Sequence, residues 1–152
     1  MRVLAVITMI ILSTLMIPVV EVHSEDDTCE ECDRVIFFTA EKDVKVDGTT
    51  VIDSGVYREV HCKLSDAFRV GRGLKSIAGV SLVTTKTSEQ ILSMVFAQVV
   101  FRQNIDGTDI IYGYSSILPY TTTVNGKTVN IEIAVNGSGK VTAGCPIILG
   151  SY

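Results

Sequence analysis

From Val99 onward the chain runs in short stretches of alternating apolar and polar residues, separated by Asp106-Gly107, Pro119, Asn125-Gly126 and the Asn136-Gly137-Ser138-Gly139 turn. Asp-Gly and Asn-Gly tolerate positive φ at both central positions of a two-residue turn, which is what a tight hairpin with the right strand twist requires. This third of the chain is therefore expected to be antiparallel strands. In the run TVNIEIAV, Val129, Ile131, Ile133 and Val135 point one way while Asn130, Glu132 and Ala134 point the other. That pattern predicts a sheet with one buried face.

The preceding residues add helices. Val35 to Ala40 reads as a strand, and Asp47-Gly48 and Ser54-Gly55 mark turns. Val56 to Cys62 reads as a second strand with Val56, Arg58, Val60 and Cys62 on one side and Tyr57, Glu59 and His61 on the other. The period then changes: Ser65 is placed to cap a helix whose Ala67, Val70, Gly71 and Leu74 share a face, weakened by its glycines. Gly79 to Thr85 predicts a strand. Thr87-Ser88-Glu89-Gln90 has the spacing of a capping box, opening a helix with an apolar stripe of Ile91, Leu92, Val95 and Val99. The expected class is α+β, an antiparallel sheet with two helices packed on one face, formed as a single domain by residues 35–152.

The chain begins with Met1-Arg2, about fifteen apolar residues, Pro18, and a small residue at Ser24. This is the layout of a signal peptide spanning residues 1–24, with a mature start at Glu25, and it predicts export to the extracellular space or cell envelope. The competing reading is an uncleaved anchor formed by residues 3–20, which would be the chain's only membrane attachment. Residues 25–34 form an acidic leader in which EDDTCEECD carries six carboxylates. The mature chain has net charge −4 and no basic run interleaved with aromatics, which argues against a nucleic-acid partner.

Cys29 and Cys32 in that leader admit three readings. A redox dithiol needs a lowered thiolate pKa, and the surrounding carboxylates oppose it. A metal site would need ligands beyond this pair, but His61 and Cys62 are adjacent on a strand and face opposite sides, leaving Cys145 to be brought in by the fold. A disulfide staple needs only an oxidising compartment and an even count, and Cys29, Cys32, Cys62 and Cys145 meet it with three possible pairings. A bond from the leader to Cys62 or Cys145 would contribute on the order of 2 to 4 kcal/mol. No G-x-S-x-G elbow accompanies His61, Gly71-Arg72-Gly73 is no dinucleotide fingerprint, and the leader lacks EF-hand spacing. No catalytic, cofactor-binding or metal-binding residues are assigned, and no cofactor is expected. Asn136-Gly137-Ser138 has the form of an N-glycosylation sequon, relevant only in a eukaryotic source.

The C-terminal 40 or so residues resemble the closing segment of YwmB-like proteins, exported proteins of spore-forming Firmicutes. The resemblance is carried by Tyr112 to Ser116, the strand from Gly126 to Asn130, Ile133-Ala134, and the ending with Gly144, Pro146, Ile147, Ile148 and Tyr152. This chain departs from the pattern at Cys145, where the family is expected to have Thr. The resemblance implies a TATA-binding-protein-like α+β domain with a sporulation context, no established catalysis, and no active-site residues to carry over. Fold does not fix function, so no DNA binding is inferred from it. The expectation is a non-enzymatic extracytoplasmic domain that binds a protein or cell-envelope component. Because helices cover only one side of a TATA-binding-protein-like sheet, the resemblance implies an open face, lined by Asn130 and Glu132, as the first place to look for the interaction surface. The alternatives are a secreted thiol-disulfide oxidoreductase using Cys29 and Cys32, and a zinc-stabilised module.

Overall fold

The computed structural model describes residues 33–150. The leader cysteines Cys29 and Cys32, the apolar N-terminal segment and Tyr152 lie outside the described residues. The described residues form ten strands: β1 Arg34–Thr39, β2 Thr50–Asp53, β3 Arg58–Lys63, β4 Gly79–Thr84, β5 Gln98–Ile105, β6 Thr108–Tyr114, β7 Thr122–Val124, β8 Lys127–Val129, β9 Ile131–Val135 and β10 Val141–Cys145. Two α-helices lie among the described residues, α1, Ala67–Gly73, and α2, Ser88–Met94. Eight strands join in one antiparallel sheet of order β2-β3-β1-β4-β10-β9-β6-β5, and β7 and β8 form a separate hairpin. The fold is α+β, as the alternation and capping signals predict.

The position of the helices follows from the connections. β3 and β4 both run antiparallel to β1, so they are parallel to each other and need a crossover, which α1 supplies. β4 and β5, four strands apart in the order, are again parallel and joined through α2. Both crossovers leave strands of the same direction and travel the same way across the sheet. Right-handedness therefore puts both helices on one face.

The clusters bear this out. Val35 and Phe37 of β1, Val60 and Cys62 of β3, and Val80 and Leu82 of β4 pack with Ala67, Val70 and Leu74. On the same face, Ile133, Val141, Ala143 and Cys145 pack with Ile91, Leu92 and Val95. The Thr87 capping box is formed: Thr87 Oγ1 accepts the Gln90 N–H at 3.3 Å, and Gln90 Oε1 accepts the Thr87 N–H at 2.9 Å. Ser65 does not cap α1. It lies in a 3-10 turn, Leu64–Asp66, and the cap position falls to Asp66, whose side chain makes no capping bond. Val99 does not continue the α2 stripe, because the helix ends at Met94 and Val99 belongs to β5.

The other face departs most from expectation, since it is covered by the chain itself. At one end, the β7-β8 hairpin lays Val124 and Val129 over Ile110, Tyr112 and Phe101, whose ring stacks on Tyr112 with centroids 4.4 Å apart. In the middle, the segment after β10 folds back over the sheet. Ile147 and Ile148 lie so close above Gly144 that a Cβ there would stand 2.5 Å from the Ile148 nitrogen. Leu149 packs with Ile36, Phe38 and Val83. Asn130 and Glu132 are accordingly buried, at 0% and 3% exposure, and do not form an exposed interaction surface. Asn130 turns the chain between β8 and β9, its amide bonding Ser115 N–H, Ser115 C=O and Leu118 C=O. Glu132 accepts the Ile148 N–H.

Candidate functional site

The two cysteines among the described residues, Cys62 and Cys145, do not converge. Register aligns Cys62 with Val35, Val35 with Leu82, and Leu82 with Ala143. Cys62 is thus three strand spacings, about 14 Å, from β10, where Cys145 lies two residues further along. A disulfide requires Cα atoms within about 7 Å, so Cys62 and Cys145 cannot bond to each other. Both are buried free thiols. Burial pushes each up to about 11, the reverse of what a reactive thiolate needs. A Cys62–Cys145 bond is thereby excluded, while the partners of Cys29 and Cys32 fall outside the described residues.

His61 and Cys62 point to opposite faces, as the alternation predicts. His61 Nε2 lies 3.0 Å from Glu59 Oε2, and the Glu59 carboxyl is held below its ordinary range, first by the Ser54 hydroxyl and then by His61. Among the described residues no group of three His, Cys, Asp or Glu side chains is placed to hold a metal ion, and no helix is long and apolar enough to cross a membrane.

Two surface features remain, neither of them signalled by a sequence motif. The first is a groove of about 1020 Å³ at the end of β1 and β3, where the cover over the helix-free face stops. Arg34, Lys63, His61, Thr84 and Lys140 line it, along with Asp33, where the described chain begins.

The second is an exposed apolar edge. β5 is an outer strand, and Val99 and Ile105 on it are exposed. The ladder to β6 shifts between Val99 and Phe101, leaving Phe101 to Ile105 as a regular stretch with an unpaired outer side. Directly before it stands Phe96, 74% exposed and with φ of 51°. Its N–H bonds Ser93 C=O, and the Ala97 N–H bonds Leu92 C=O at 2.8 Å. These are the two bonds of a Schellman motif, with Phe96 at the left-handed position usually held by glycine. Tyr114, also exposed, pairs with Gln98 two residues along. A left-handed conformation costs a side-chain-bearing residue about 1 kcal/mol or more relative to glycine, and no burial of the ring offsets it.

In comparisons with protein-family models, curated proteins and solved structures, nothing matches this chain.

Proposed function

We propose that this chain is a non-enzymatic extracytoplasmic domain, exported by residues 1–24, that binds a protein of the cell envelope through Phe96 and the free edge of β5. The observation that carries the reading is Phe96: an aromatic residue placed in the left-handed region and turned to solvent, where glycine would cap the helix with less strain. An outer strand beside it supplies main-chain donors and acceptors for an extended partner segment, with Val99 and Tyr114 as flanking apolar contacts. The raised pKa values of the two described thiols favour binding over thiol chemistry at Cys62 or Cys145. The finer fold assignment, a TATA-binding-protein-like domain, rests on the eight-stranded antiparallel sheet with both helices on one face, and the YwmB-like, sporulation-associated reading rests on the C-terminal resemblance alone.

The test is retention of the isolated chain on the envelope fraction of the cells that make it. Phe96→Ser combined with Val99→Glu is expected to weaken retention at least tenfold. Phe68→Ala, which removes a half-exposed ring from α1, packed over β1, β3 and β4 rather than near β5, is expected to leave it unchanged. Protease treatment of the fraction is expected to abolish retention, as a protein partner requires. Equal retention of all three chains overturns the proposal.

A further inference from the structure

The groove at the end of β1 carries three cationic side chains against one carboxylate among the described residues. Arg34 and Lys63 are directly opposite in the β1-β3 ladder, so both side chains leave the same face, and both are exposed. Like charges in that relationship repel and destabilise the pair. Among the described residues neither has an ion-pair partner. Lys140, from the turn between β9 and β10, reaches the same groove and is likewise unpaired. The one carboxylate on the wall, Asp33, is already engaged: Oδ1 accepts the Thr84 hydroxyl at 2.6 Å and Oδ2 lies 3.4 Å from Lys86 Nζ.

The charge balance of the chain is divided at the same place. Residues 33–150 contain twelve basic and eleven acidic residues, so the body of the fold is nearly neutral. The acidity of the mature chain is concentrated in residues 25–32, with Glu25, Asp26, Asp27, Glu30 and Glu31 and no base. That segment is joined to Asp33 on the groove wall. Eight extended residues reach about 27 Å, enough to lie across a groove of this size. Covalent attachment also gives it an effective concentration of about millimolar or above, which an untethered anion must exceed to compete.

We propose that residues 25–32 of this chain fold back along the groove, with their carboxylates against Arg34, Lys63 and Lys140. The leader is then a docked part of the domain that neutralises an otherwise repulsive strand pair. This inference does not depend on the β5 reading, since it concerns the opposite end of the sheet.

Carbodiimide coupling of the chain as isolated from the cells that make it, followed by peptide mass mapping, tests this. Lys86 and Asp33 supply an internal reference for coupling. Within the monomer band, Lys63 or Lys140 is expected to couple to carboxylates of residues 25–31, with the yield falling at least fivefold in 1 M salt, where the screening length drops to about 3 Å. Arg34→Glu, a change at an exposed strand end, is expected to reduce the same products at least threefold while the reference remains. Coupling of the reference alone overturns the proposal, and so does coupling of the leader only in a dimer band, which would assign the groove to a second copy.

Discussion

Glu132 Oε2, near the centre of the helix-free face, accepts the main-chain N–H of Ile148 at 2.9 Å, and both residues are buried. A hydrogen bond between two buried groups fixes the returning C-terminal segment to the sheet.

Glu132→Ala leaves the Ile148 N–H buried without an acceptor, and is expected to cost about 2 to 3 kcal/mol in chemical denaturation. Glu132→Gln retains an acceptor and is expected to cost less. Gly144→Ala drives a Cβ into the Ile147–Ile148 backbone and is expected to destabilise by more than about 2 kcal/mol. In a chain truncated after Pro146 its cost should shrink to below about 1 kcal/mol, because the obstacle is gone.

Ser81, opposite Ile36 and Gly144 on the covered face, is buried with a hydroxyl that has no hydrogen-bond partner among the described residues. Ser81→Ala removes that orphan group without adding volume. Thermal or urea denaturation is expected to show a gain of up to about 1 kcal/mol.

The buried thiols give the folded state a defined alkaline limit. Each pKa is raised in the folded state, from 9.0 to about 11, so the neutral form is the one that folding favours. Their contribution is complete below pH 9 and is lost as pH rises through 11, on the order of 2 kcal/mol per thiol. Denaturation midpoints measured from pH 8 to 11 are expected to fall, and the fall is expected to be smaller in Cys145→Ala. At pH 7, a thiol-reactive disulfide reagent is expected to label Cys62 and Cys145 only as fast as the protein opens.

How much of this was legible in the sequence follows from the range of each interaction. Asp106-Gly107 and Asn125-Gly126 do form two-residue turns with positive φ at both positions, because the requirement lies within the turn itself. The Thr87 capping box and the opposed faces of His61 and Cys62 are equally local. The sidedness of Glu132 was also readable, since it does point away from Ile131 and Ile133. What covers that side was not, because the β7-β8 hairpin and residues 147–149 reach it through tertiary contacts that no periodicity records. Val99 had the right spacing for the α2 stripe, yet the chain had already left the helix at Phe96. An aromatic residue at a left-handed helix end carries no sequence signal, since glycine or asparagine is the expected occupant. The groove combines Arg34, Lys63 and Lys140 from distant segments and becomes visible only once the strands are aligned.

The most direct test of the account is Phe96→Gly, with unfolding free energy and retention on the envelope fraction measured on the same chain. Relief of the left-handed backbone is expected to raise stability by about 0.5 to 1 kcal/mol, while retention falls at least tenfold. Undiminished retention, or a loss of stability, would contradict the claim that Phe96 is kept in a strained position for binding.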